Sequence, residues 1–161
     1  MLIFSLILIA AAIAADQVIK YLVITNLKPD GVIQAIPGWL NFIYLENKGA
    51  AFGSFQGYTW ILTVVTAILI AASLFIMIFY QRHTFFSRAA AILIIGGGIG
   101  NLIDRILLGY VVDYIQVSFF PPVFNLADCF VVVGVLFFLL HMLFFAEKDD
   151  GRERVIRRYR R

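Results

Sequence analysis

Asp113 in GYVVDYIQV and Asp128 in FNLAD have the residue type and the setting to work as a general acid–base pair. Both lie in or beside long apolar runs, as do Asp16 and Asp104, in a chain that is 62% hydrophobic and 14% charged. A carboxylate in hydrocarbon costs about 2.5–3.5 kcal/mol even on insertion scales, which makes such positions candidates for function. Two carboxylates in a partly desolvated site do not both ionise readily, and they share a proton. One can then take a proton from water while the other protonates a scissile carbonyl, a hydrolysis that needs neither a metal nor a nucleophilic side chain. Spacing alone leaves a structural hydrogen-bond network as the alternative.

Further polar residues fall where they could brace that pair. Asp16 and Lys20 are four apart and share a helix face, with a plain structural ion pair as the simpler account. In GGGIGNLIDR, residues 96–105, the small residues Gly96, Gly97, Gly98 and Gly100 allow close approach of another helix. Asn101, Asp104 and Arg105 follow at i, i+3 and i+4, and their common face must look toward protein or a wet cavity. Asp104 and Arg105 are expected to belong to one charge network that orients the site. Asn125 and Asp128 sit at i and i+3, and Asn125, after Pro121 and Pro122, is a plausible helix N-cap.

The elements that must hold these residues are membrane helices. Four apolar stretches, about 2–24, 58–80, 85–108 and 126–146, each supply the roughly 20 residues a helical span needs. Antiparallel third and fourth helices joined by 109–124 would bring Asp113 and Asp128 to the same depth. The first stretch has small residues resembling a signal-peptide cleavage site, but it lacks a basic leader and stays apolar beyond Asp16, so it is expected to be retained. Basic residues orient the bundle. Arg82 and Arg88 mark the 81–88 turn, while the 147–161 tail holds Lys148 and six arginines. The loop at 26–57 has only Lys28 and Lys48, and 109–124 has no Lys or Arg. The positive-inside rule then puts both termini and the short turn in the cytoplasm and the two outer loops outside. The net charge of +3 describes a tail against an anionic leaflet, not a nucleic-acid-binding face.

The loop at 26–57 carries the turn signal Pro29-Asp30-Gly31, then strand-like runs at 32–36 and 39–45 around Pro37-Gly38. Together these predict a small hairpin on the membrane surface, followed by a loop in ENKGAAFG, residues 46–53. The segment around Asp113 is expected to be extended or loop. The expected fold is therefore an all-α membrane protein of four transmembrane helices with a small extracytoplasmic β-hairpin or cradle and a loop, in a single domain over 1–161. The single cysteine, Cys129, reads as a small buried residue. His83 and His141, distant in sequence and without carboxylate spacing, make a poor metal site, so no metal or other cofactor is expected.

A transporter or proton relay could use the same ionisable residues. Against it, they gather at one membrane face, and the second helix offers only Thr63, Thr66 and Ser73 toward the other side. A non-catalytic adaptor whose carboxylates organise the outer loop is a third possibility.

Five segments taken together resemble lipoprotein signal peptidase (signal peptidase II) of bacteria: DQVIK at 16–20, NKGAAFG at 47–53, GNLIDR at 100–105, VVDYI at 111–115 and FNLAD at 124–128. The resemblance runs from about residue 10 to 146, in the family's order. It implies an intramembrane aspartyl endopeptidase that cuts prolipoproteins on the N-terminal side of a diacylglyceryl-modified cysteine. It further implies that Asp113 and Asp128 are the catalytic dyad, and that Asn47, Gly49, Asn101, Asp104, Arg105, Asn125, Asp16 and Lys20 line or brace the site. Implied partners are lipid-modified prolipoproteins, membrane lipids and cyclic peptide inhibitors of the globomycin type. The implied location is the bacterial cytoplasmic (inner) membrane.

Overall fold

A computed structural model of the chain describes residues 2–49 and 59–145. Four helices dominate: α1 (Leu2–Leu22), α2 (Thr59–Phe79), α3 (Phe85–Leu107) and α4 (Leu126–Phe144). At 1.5 Å per residue each is about 29–35 Å long, matched to a hydrocarbon core of about 30 Å. All four are long and apolar enough to cross a membrane. Their outward faces are apolar, with Trp60 65% exposed, Phe79 64% and Leu143 75%. That is the distribution expected of helices solvated by lipid, which need no hydrophobic interior to be stable. The predicted ends at Tyr58 and Ala146, part of ENKGAAFG and the basic 147–161 tail lie outside the described residues.

α3 is the central helix, packing on α1, α2 and α4. Its glycine run makes that possible. A Cβ at Gly96 would stand 2.9 Å from Ala12 Cβ, and one at Gly98 would stand 2.8 Å from Ile70 Cγ1. The tightest approach is to α4: a methyl at Gly97 would meet the backbone carbonyl of Ala127 and crowd Val131 Cγ2 at 3.0 Å and Phe130 Cβ at 3.1 Å. Gly97→Ala is therefore expected to push α4 outward and cost about 1–3 kcal/mol, the usual range for overpacking. A lowered unfolding temperature of the purified variant in detergent would report it, and an unchanged one would contradict this packing.

α1 continues through a wide π-helical turn, Val23–Leu27, and a single turn at Lys28–Asp30, ending at Gly31 with φ +88°. The extramembrane segments then form one antiparallel sheet of four strands: β1 (Ile33–Ile36), β2 (Leu40–Asn47), β3 (Val111–Val117) and β4 (Phe120–Phe124), in that spatial order. The predicted hairpin is present as β1 and β2. It is half of a larger sheet, because 109–124 is itself a hairpin and Glu46 and Asn47 belong to β2 rather than to a loop.

The pairing of β2 with β3 has an irregularity that matters for the site. Phe42 opposes Ile115, but the next opposed pair is Leu45 with Asp113, so β2 spends one residue more than β3 over this stretch. Such a bulge reverses which side chains face which way beyond it. Leu45 and Asn47 consequently share a face with Asp113, and Glu46 is turned to the other side.

At the far end of the bundle the two histidines, distant in sequence, come together around Tyr80. Tyr80 lies edge-on to His83 and His141, with ring centroids 5.4 and 5.6 Å away. Buried His141 bonds Thr84 Oγ1 at 3.0 Å and Tyr80 hydroxyl at 3.2 Å, and His83 bonds Ser87 Oγ at 3.2 Å. These contacts tie the short 80–84 turn to the end of α4.

Candidate active site

Asn125 is the pivot on which the two aspartates meet. It caps α4 in a capping box with Asp128: the Asn125 side chain accepts from Asp128 N at 2.9 Å, and Asp128 Oδ2 accepts from Asn125 N at 3.2 Å. Its amide Nδ2 also donates to Asp113 Oδ1 at 2.6 Å. One residue thus holds a carboxylate from β3 and a carboxylate from α4.

Each of the four carboxylate oxygens of this pair accepts one N–H. Asn47 Nδ2 donates to Asp113 Oδ2 at 2.7 Å, and Asn101 Nδ2 donates to Asp128 Oδ1 at 2.7 Å. Asn47 is fixed in turn by Gly49 N, which donates to its Oδ1 at 3.0 Å. A carboxylate offers about four lone-pair directions, so each keeps capacity for water or substrate. Asp113 is 1% exposed, whereas Asp128 is half-buried. Burial and the neighbouring charge of Asp128 push Asp113 up to about 7, against the opposing hydrogen bonds from Asn47 and Asn125.

Beneath this pair lies an ammonium with no spare donor. Lys20 Nζ lies 2.9 Å from Asp16 Oδ2 and 2.9 Å from Asp104 Oδ2, and it donates to Asn101 Oδ1 at 2.9 Å. Lysine has three N–H donors, and all are used. Asn101 Oδ1 also accepts from Asn125 Nδ2 at 3.1 Å, so the ammonium is connected to the aspartate pair through two amides. Both carboxylates also reach backbone: Asp16 through its other oxygen, Oδ1, which accepts from Ala127 N at 3.1 Å, and Asp104 through the same Oδ2, which accepts from Val112 N at 3.1 Å. The residues before Asp128 and before Asp113 are each anchored to this ion cluster. Among the described residues no buried side-chain donor or acceptor lacks a partner. Nor is any group of three His, Cys, Asp or Glu gathered as metal ligands among them.

A family model described as signal peptidase (SPase) II matches residues 8–144. The chain belongs to the signal peptidase II family. Among its relatives, the lipoprotein signal peptidase of Streptococcus thermophilus is 42% identical over 133 residues, covering 82% of this chain and 87% of its own. That of Clostridioides difficile is 40% identical over 145 residues, covering 89% of this chain and 97% of its own. A solved bacterial membrane enzyme, 30% identical, superposes with a TM-score of 0.80 over 91% of this chain and 93% of its own.

In this signal peptidase II chain the residues singled out from sequence converge, with one departure. Asp16, Lys20, Asn47, Gly49, Asn101, Asp104, Asp113, Asn125 and Asp128 form one connected network. Arg105 forms no direct ion pair with Asp104, although the charges of Asp128, Asp113 and Asp104 all act on it. Lys20 of α1 takes the Asp104 carboxylate, and the Arg105 guanidinium donates to Thr66 Oγ1 of α2 at 3.5 Å. Two contributors were missed. Gln17 donates to Gly100 O and Asp104 Oδ1, both at 3.1 Å, and Tyr114 hydroxyl accepts from Leu126 N at 3.1 Å. Gln17 sits inside the DQVIK segment, adjacent to a residue already chosen, which was the only available signal.

Proposed function

We propose that this chain is an aspartic endopeptidase of a bacterial cytoplasmic (inner) membrane. It would remove the signal peptide from diacylglyceryl-modified prolipoproteins, cutting N-terminal to the lipidated cysteine. The observation that carries this reading is the pair of carboxylates, Asp113 and Asp128, held on opposite sides of Asn125 with every oxygen fixed by an N–H donor. In the proposed reaction one aspartate accepts a proton from water as its oxygen attacks the scissile carbonyl. The other donates a proton to the carbonyl oxygen. Collapse to the products returns the pair to one shared proton, and no covalent enzyme intermediate forms.

Charge placement supports an outer-leaflet site with both termini cytoplasmic. The four helices, the sheet and the basic tail then act as one peptidase domain over 1–161. The pair lies where β3 meets the start of α4, at the level where a membrane-embedded peptide can enter from the side while water reaches it from the surface. The hairpin and ENKGAAFG would cradle that peptide, and a globomycin-type cyclic peptide would compete for the aspartates.

Asp113 predicts the pH response. Raised to about 7, it is largely neutral at pH 6 and ionised at pH 8. The reactive form holds one proton between two carboxylates, so alkali removes the proton that the acid step needs. Cleavage is expected to fall about tenfold per pH unit above about 7. The same shift lowers stability across pH 4–7, because the folded carboxyl retains a proton that the unfolded one, at 3.8, has released. Cleavage of a diacylglyceryl-modified prolipoprotein in detergent, measured from pH 5 to 9 with chelator present, tests both the activity and this profile. A rate level to pH 9 would refute the shared-proton mechanism. No cleavage by a well-folded protein would return the transporter or adaptor reading.

A further inference from the structure

At the end of the bundle away from the sheet, α1 and α3 border a cleft of about 670 Å³. The two helices run parallel, since Gly96 packs on Ala12 and Gly100 on Asp16. The same register sets Leu8 level with Ile92, and Phe4 level with Arg88. Phe4, Leu8 and Ala12 on one wall and Ala89, Ile92 and Leu93 on the other make an apolar groove. From Phe4 to Ala12 it extends about 12 Å along the helix axis.

Arg88 stands at the mouth of this groove. It is half-buried, and among the described residues its guanidinium makes no hydrogen bond or ion pair. No residue lining the cleft is acidic. His83 also borders it, but both ring nitrogens are engaged, by Ser87 Oγ at 3.2 Å and Met77 O at 3.0 Å. A guanidinium beside hydrocarbon is costly without an anion, and its planar fork matches phosphate. The charge and the groove together ask for one ligand with an anionic head and an apolar tail.

We propose that this cleft binds an anionic phospholipid of the adjoining leaflet. Its phosphate pairs with Arg88, and one acyl chain lies along Leu8, Ala12 and Ile92. The site is separate from the aspartate pair and does not depend on the peptidase reading, because its test measures lipid retention and not cleavage.

The test is native mass spectrometry of the full chain released from detergent after exposure to an equimolar mixture of phosphatidylglycerol and phosphatidylethanolamine. The parent is expected to retain phosphatidylglycerol preferentially. Arg88→Gln should reduce that preference about fivefold or more, the effect of one basic residue at an anionic surface, and Arg88→Lys should keep part of it. Ala89→Phe, which fills the groove, should lower retention of both lipids. Variants are compared after matching their unfolding temperatures to the parent, and Arg88→Lys against Ala89→Phe decides the matter if Arg88→Gln does not fold. Equal retention of both lipids by the parent, or an unchanged preference in Arg88→Gln, would overturn the proposal. So would full retention in Ala89→Phe, or displacement of the lipid by excess inorganic phosphate, since either would show that the groove holds no chain.

Discussion

Replacing Asp113 or Asp128 singly with Asn is expected to lower kcat for cleavage of a diacylglyceryl-modified prolipoprotein by about 10³-fold or more. That corresponds to about 4 kcal/mol of barrier, within the range general acid–base catalysis supplies. The choice of Asn decides what the experiment isolates. Asp128 is the N3 residue of the α4 capping box, and truncation to Ala would also remove a cap, at about 1 kcal/mol. An amide at 128 keeps an acceptor oxygen for that role while losing the ability to exchange a proton, though its NH₂ then faces the NH₂ of Asn101. At position 113 both oxygens accept from amide N–H groups, so an Asn there sets one NH₂ against the NH₂ of Asn47 or Asn125. Such a mismatch costs about 1–3 kcal/mol, partly offset by removing a buried charge. Unfolding temperatures should therefore accompany the rates. Near-parent cleavage by either folded variant would make that aspartate structural and sink the dyad.

The largest effect on stability is expected from Lys20→Met. Lys20 is 2% exposed, and its ammonium balances Asp16 and Asp104, both at 2.9 Å. Removing one partner of a buried ion cluster costs about 3–5 kcal/mol because the remaining charges stay buried without compensation. The variant should unfold far below the parent or fail to accumulate. The triple replacement Asp16→Asn, Lys20→Met and Asp104→Asn removes the charges together and should recover most of that loss. Thermal unfolding of both proteins in detergent separates the cases. Equal instability of single and triple variants would mean the cluster acts through specific hydrogen bonds rather than charge balance.

The helices and the carboxylates were legible from sequence for the same reason, the high cost of polarity in hydrocarbon. Long apolar runs declare spans, and an aspartate that interrupts one must be held by something. What was hidden is partnership between helices. Asp104 and Arg105 are neighbours in sequence, yet Lys20, brought alongside by the glycine contacts of α3, takes Asp104. His83 and His141 likewise meet through Tyr80 and the 80–84 turn, which no spacing within one helix reveals. The second hairpin was obscured for another reason. Pro121 and Pro122 argue against a strand, but β4 is an edge strand, where a missing N–H need not break a ladder. β3 also lacks the alternation of a half-exposed strand, because Val111, Val112, Asp113 and Tyr114 are all buried.

The bulge in β2 makes the chemistry beside Asp113 a matter of parity. With the extra residue between Phe42 and Leu45, Asn47 faces Asp113 and donates to it. Regular pairing of β2 at its present length, without the bulge, would set Tyr44 opposite Asp113 and Glu46 opposite Val111, turning Glu46 inward in place of Asn47. A neutral donor would be exchanged for a third carboxylate beside Asp113 and Asp128. A segment that touches no scissile bond therefore decides, by where it takes up its extra residue, how much negative charge stands beside Asp113.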